Sequence, residues 1–224
     1  MPSEMFRRRH LPHWDVPGAT YFVTSCLDGS IPSAGLAELR TYRDELASRA
    51  RPDGQTAEAW DRNQQKLVFA KFDELLDGQP AVRHLADPAL AQIVQTALLF
   101  FAETRCDVYS FVVMPSHFHW VFRPTEAYAL QLGDAKPRER LMQSIKTFSA
   151  RHCNKHLGKS GTFWQDESYD HWVRDANELE RIIRYVENNP VKAKLCVRPE
   201  DWRWSSARWR LERGLPWGCP LPRN

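Results

Sequence analysis

Val108-Tyr-Ser-Phe-Val-Val-Met-Pro-Ser-His-Phe-His-Trp-Val-Phe-Arg123 is the stretch on which the fold turns. Val108–Met114 is a β-branched and aromatic run of strand length, Pro115-Ser116 breaks it, and His117–Arg123 resumes it. Two strands joined by so short a link can only pair antiparallel. Upstream, Tyr21-Phe-Val-Thr-Ser-Cys-Leu27 reads as a further strand, and downstream Thr162–Val173 reads as a strand with a kinked entry. Asp87-Pro88 is a helix start, with Asp as cap and Pro at the first helical position, and Leu90, Ile93, Val94, Ala97, Leu98 and Phe101 follow at helical spacing. Residues 138–157 predict an amphipathic helix with Leu141, Ile145, Phe148 and His152 along one face. Ala176–Glu187 predicts another, with Leu179, Ile182, Ile183 and Val186 apolar and Asn189-Pro190 as its stop.

Strand, helix, strand, strand, helix, strand, helix is an α+β order. It predicts a ferredoxin-like antiparallel sheet with helices on one face. Residues 36–50 and 56–77 also read as helical, separated by Arg51-Pro-Asp-Gly54; being charged and broken, they read as a helical insertion over 36–82. Residues 1–18 form a basic, proline-containing arm, and 195–224 a Trp-rich tail expected to pack on the core of a single domain spanning 1–224.

The chain has 224 residues and a formal net charge of only +3, so the placement of charge says more than its total. Arg7, Arg8, Arg9 and His10 cluster in the arm, and Lys146, Arg151, His152, Lys155, His156 and Lys159 form a second basic stretch. Clustered cations suit a phosphate-bearing partner, although a solvated helix face and a frayed tail give the same pattern. Nine Trp supply core residues and, where exposed, platforms on which bases stack. Five Cys without a CxxC pair fit a reducing cytosol and argue against a disulfide framework or a thiolate zinc site. No signal peptide precedes the first strand, and the longest apolar runs, such as Ala97–Ala102, are too short to span a membrane.

Two elements carry chemistry. In Met114-Pro-Ser-His-Phe-His-Trp120 the two histidines are two apart on a strand, so His117 and His119 project to the same face and can share one divalent cation. Two incidental histidines on a half-exposed strand would look the same. In Arg181-Ile-Ile-Arg-Tyr-Val-Glu-Asn-Asn-Pro190, Tyr185 and Asn189 are four apart on a helix face. A phenol near a cation is a nucleophile toward phosphorus, and the amide oxygen of Asn189 is a ligand for a hard cation. A core tyrosine beside a helix-stopping Asn-Pro is the bland alternative.

Read together with Pro17-Gly-Ala-Thr-Tyr-Phe-Val-Thr24, Ser144-Ile-Lys-Thr-Phe-Ser149, Phe163-Trp-Gln165, Tyr169-Asp-His-Trp-Val-Arg174, Tyr185-Val-Glu-Asn-Asn-Pro-Val-Lys-Ala193 and Trp204-Ser-Ser206, these elements resemble the REP-associated tyrosine transposases, HUH single-tyrosine enzymes with an IS200-like domain. The resemblance implies that His117 and His119 hold Mg²⁺ or Mn²⁺, that Tyr185 is the nucleophile, and that Asn189 stands where relatives place a third, amide-bearing ligand. It implies single-stranded or hairpin DNA as partner, a 5′-phosphotyrosine intermediate, a cytoplasmic setting in a bacterium, and a monomer or homodimer. Arg7, Arg8, Arg9, Lys146 and Arg151 are the candidate phosphate contacts. His171 lies in a family-typical segment without an assigned role. Ser116 and Lys194 depart from the Asn and Gly common at those places. A hairpin-DNA-binding regulator that does not cut, a metal-dependent phosphodiester hydrolase and an RNA-binding ferredoxin-like module are the rival readings.

Overall fold

The computed structural model describes residues 5–8, 12–78, 80–133, 136–166 and 168–223. Its centre is a four-stranded sheet of β3 (Thr20–Cys26), β4 (Cys106–Val113), β5 (His117–Pro124) and β6 (Tyr169–Val173), in the order β4-β5-β3-β6 with every pair antiparallel. The expected hairpin is β4–β5, closed by the Met114 N–H donating to the His117 carbonyl at 2.8 Å. Ahead of the sheet, β1 (Met5–Arg8) and β2 (Pro12–Asp15) pair as a separate ribbon where the sequence predicts an arm.

Both faces of the sheet are apolar, because alternate residues of β3 and β5 are large on either side. Tyr21, Val23, Phe118, Trp120 and Phe122 meet α3 (Pro88–Leu99) and α5 (Pro137–Leu157) in one core. This is the expected helical layer, and α3 starts as predicted, with the Asp87 carboxylate accepting from the Ala89 N–H at 2.8 Å. Phe22, Cys26, Val112 and Val121 face the other way, where the expectation of helices on one face leaves nothing. There α1 (Ser33–Ser48), α2 (Ala57–Asp77) and α6 (Ala176–Lys192) close a second core with Leu39, Phe72, Leu76, Ile183 and Val186. Each such side chain removed from water contributes about 1.5–3 kcal/mol, so a sheet with this composition cannot leave a face bare.

Three local expectations shift. The strand predicted over 162–173 is regular only in β6. Before it, a single antiparallel bridge joins Trp164 to Leu27, and side chains add to it: Trp164 donates its indole N–H to Ser149 Oγ (2.9 Å), and Lys146 Nζ donates to the carbonyls of Gln165 (2.6 Å) and Asp166 (3.2 Å). On α5 the buried face is Arg138, Leu141, Met142, Ile145, Ser149 and Cys153, while Phe148 and His152 stack on each other at the exposed surface. Finally, α6 runs through Pro190 to Lys192. A proline costs a helix its own N–H bond, but here only half a turn remains. The end is sealed by Lys194 in the left-handed region (φ 58°), with the Leu195 N–H donating to the Pro190 carbonyl at 2.9 Å.

The C-terminal segment lies along the outer side of β4. The Val113 N–H donates to the Trp204 carbonyl (2.8 Å), the Leu221 N–H to the Val108 carbonyl (2.7 Å) and the Trp202 indole to the Val113 carbonyl (3.0 Å). These bonds cover backbone groups that an edge strand would otherwise expose. From α7 (Ser206–Arg213), Arg210 reaches back to buried Glu187 on α6 at 3.3 Å and to the carbonyls of Tyr109, Pro216 and Cys219.

Candidate active site

The register of the sheet builds the site. Thr24 lies opposite His119 and Cys26 opposite His117, so β3 and β5 present these side chains on the face covered by α2 and α6. The imidazoles are neighbours, with ring centroids 4.8 Å apart, and both are fully buried. Each has its inner nitrogen engaged by a hydroxyl: Ser116 Oγ lies 3.0 Å from His117 Nδ1, and Thr24 Oγ1 lies 2.7 Å from His119 Nδ1. A hydroxyl that accepts from Nδ1–H fixes the ring and leaves the Nε2 lone pair facing the site, the arrangement that metal-binding histidines use. Ser116 thus supplies a side-chain bond at the place where the sequence departs from the expected Asn.

From the other side, α6 contributes Tyr185 and Asn189, one turn apart. Asn189 Nδ2 lies 3.1 Å from His119 Nε2 and donates to the Tyr185 hydroxyl at 3.2 Å; the tyrosine and His119 ring centroids are 5.5 Å apart. The four predicted residues therefore come together at one place. Two buried polar atoms there have no hydrogen-bond partner among the described residues, His117 Nε2 and Asn189 Oδ1. Buried acceptors are seldom left unpaired, and an imidazole nitrogen with an amide oxygen is a suitable donor set for a divalent cation. Among the described residues no group of three or more His, Cys, Asp or Glu is arranged to hold a metal. A cation at this pair would therefore take its remaining ligands from the amide, from water or from substrate, unlike a closed structural zinc site.

Burial, reinforced by the charge of Lys192, pushes the His119 imidazole down to about 3. His117 is also held well below its ordinary value, first by burial and then by His119. Both rings are thus neutral at physiological pH, the form that binds metal.

Asp73 of α2 is also in the site, although the sequence reading places it on a charged insertion. It is buried, accepts from the Tyr185 hydroxyl at 2.5 Å through Oδ1, pairs with Lys192 Nζ at 2.5 Å through Oδ2, and lies 3.8 Å from His119 Nε2. The usable signal was its position: a carboxylate in register with Val68, Phe69, Phe72 and Leu76 on the apolar stripe of a helix. Thr24, likewise missed, is a polar residue inside an apolar strand.

Of the remaining candidates, His171, Lys146 and Arg151 lie apart. His171 shares the face of the sheet but pairs with Glu178 at 3.2 Å, and Glu178 also accepts from the Arg174 N–H at 2.9 Å, so this histidine holds the start of α6. Burial alone would raise the Glu178 carboxyl, yet the bonds from His171 and Arg174 hold it at about 2. Lys146 is committed to two carbonyls, and Arg151 is exposed on α5, which packs against the opposite face of the sheet. Arg7 and Arg8 lie in β1, while Arg9 is outside the described residues. No helix among the described residues is long and apolar enough to cross a membrane.

Comparison with known proteins finds similarity in sequence and in fold. The family model "Transposase IS200 like" matches residues 85–189, which include both histidines, Tyr185 and Asn189. An uncharacterized protein of Haemophilus influenzae is 27% identical over 133 residues, covering 54% of this chain and 72% of that protein. A REP-associated tyrosine transposase of Escherichia coli K12 is 25% identical over 109 residues, covering 49% of this chain and 59% of the relative. A solved REP-associated tyrosine transposase, bound to a REP hairpin, superposes over 95% of this chain and 88% of its own with a TM-score of 0.54 at 17% identity, a likeness of fold. The segment bearing the histidine pair and the tyrosine is thus similar to the transposase IS200-like family, and the chain resembles REP-associated tyrosine transposases over about half its length.

Proposed function

We propose that the protein is a metal-dependent endonuclease and strand transferase that cleaves and rejoins hairpin-bearing single-stranded DNA through a 5′-phosphotyrosine at Tyr185. The observation that carries this reading is the meeting of a phenol, two neutral imidazoles with outward Nε2 atoms and an unpartnered amide oxygen. His117 Nε2, His119 Nε2 and Asn189 Oδ1 would hold Mg²⁺ or Mn²⁺, which supplies Lewis-acid polarisation of a non-bridging phosphate oxygen. Tyr185 then attacks phosphorus: its oxygen forms the new P–O bond, the bond to the 3′-oxygen breaks, and the phenolic proton is balanced by the one gained at the freed 3′-hydroxyl. Return attack by a 3′-hydroxyl reseals the strand, so phosphodiester energy is conserved without a nucleotide cofactor.

All the named groups come from one chain, so a single copy holds a complete site. Residues 1–224 are read as one domain, with 36–82 as a helical insertion and 195–224 as a tail bracing it. Arg7, Arg8, Arg9 and Arg151 remain candidates for phosphate contacts outside the reaction centre; the bonds made by Lys146 give it an internal role instead. The protein would act on bacterial DNA in the cytoplasm.

Incubation with a hairpin-bearing single-stranded oligonucleotide and Mn²⁺, followed by a denaturing gel, tests the reading. A covalent adduct that disappears in Tyr185→Phe, with hairpin binding retained, is expected. Free 5′-phosphate product without an adduct would make the protein a hydrolase, and binding without cleavage would make it a regulator.

A further inference from the structure

Asp73 is only 3% exposed, on the apolar stripe of α2. Burying a carboxylate is costly unless it is paired, and a leucine there would satisfy packing alone. Its two oxygens are instead divided between Tyr185 and Lys192. One turn earlier, Phe69 packs edge-on against Tyr185 (5.6 Å) and Phe22 (5.2 Å) and lies against Tyr169 (4.6 Å). The α2 backbone is thereby fixed relative to the sheet, and the carboxylate relative to the phenol. The tyrosine hydroxyl, at the tip of a half-buried side chain, is gripped by an acceptor on α2 and a donor on α6.

We propose that Asp73 is a positioning residue for the reaction: it fixes the Tyr185 phenolic oxygen beside His119 and Asn189, and Lys192 fixes the carboxylate in turn. This rests on Tyr185 being the nucleophile. It makes α2 a wall of the active site and not an appendage.

Single-turnover adduct formation with Mn²⁺ and hairpin DNA is measured for wild type, Asp73→Asn, Asp73→Ala and Lys192→Met, alongside hairpin Kd. A misplacement of about 1 Å costs about a hundredfold in rate, so Asp73→Ala is expected to slow the adduct by about that factor. Asp73→Asn and Lys192→Met should slow it less, and Kd should stay within about threefold. In metal-free protein carrying 3-fluorotyrosine, the ¹⁹F resonance that Tyr185→Phe removes should shift in Asp73→Asn, a variant of the same shape that reports even where Asp73→Ala fails to fold. An unchanged resonance and rate in Asp73→Asn would overturn the proposal, as would a faster adduct in either Asp73 variant, which would make α2 a cover over the site. If wild type forms no adduct, the nucleophile reading fails, and the resonance shift alone decides whether Asp73 holds the phenol.

Discussion

Thr24→Val removes one hydroxyl from the site and little else. In the structure that hydroxyl lies 2.7 Å from His119 Nδ1, and both residues are completely buried. With the Asn189 Nδ2 facing Nε2 at 3.1 Å, the hydroxyl is read as accepting from Nδ1–H, which leaves Nε2 as a lone-pair donor. With valine, Nδ1–H has no partner, and the ring gains by moving its proton to Nε2 once the Asn189 amide, 3.1 Å away, turns its oxygen to accept it. That tautomer cannot ligate a cation through Nε2. Loss of such an orienting bond costs about ten- to a hundredfold in metal affinity, or about 1.4–2.8 kcal/mol. The unsatisfied buried group costs folding about 1–3 kcal/mol, which for a chain of 224 residues lowers Tm by about 2–4 °C per kcal/mol. Isothermal titration of Mn²⁺ into Thr24→Val and wild type, with Tm from calorimetry, checks both numbers. A variant that loses stability but keeps wild-type Mn²⁺ affinity would refute the idea that this hydroxyl sets the ligand's tautomer.

Burial makes three further effects measurable. Because His119 is held at about 3, proton competition should lower Mn²⁺ affinity by less than about threefold between about pH 7.5 and pH 5.5, whereas two ordinary histidines would cost about a hundredfold; titration calorimetry at the two pH values separates these. The sign for folding is the reverse of a stabilising salt bridge: the unfolded imidazoles take up protons below about 6.5 while the folded ones stay neutral, so metal-free protein should lose stability as pH falls from there toward about 3. Arg210→Met would leave buried Glu187 without its cation, though still bonded by the Ser206 hydroxyl at 2.6 Å, and should cost about 3–5 kcal/mol in urea unfolding; a loss below about 1 kcal/mol would show that the tail does not brace α6. Lys194→Gly relieves a left-handed residue at φ 58°. Set against the greater freedom of glycine in the unfolded chain, it should gain about 0.5–1 kcal/mol, seen as a higher Tm, and a lower Tm would contradict the strain.

The histidine pair was legible because strand alternation needs only local spacing, and Tyr185 with Asn189 because helical spacing does the same. The hairpin around Pro115-Ser116 was legible for the same reason. What local pattern could not show was which distant segment lies across the site. Asp73 is 112 residues from Tyr185, and its helix reads as charged surface until the sheet is known to be apolar on both faces. Lys146 misled in the opposite direction: within a basic stretch it looks like a phosphate contact, while in the fold it is half-buried and its ammonium is used on carbonyls. Pro190 marked a helix end only approximately, since a proline half a turn from the terminus disturbs few bonds.

Anomalous scattering from crystals grown with Mn²⁺ tests the shared cation most directly. One manganese peak within coordination distance of both His117 Nε2 and His119 Nε2, with the Asn189 amide turned to present its oxygen and the Tyr185 hydroxyl alongside, is the predicted result. Manganese bound elsewhere, or a histidine pair that stays empty at saturating Mn²⁺, would contradict it.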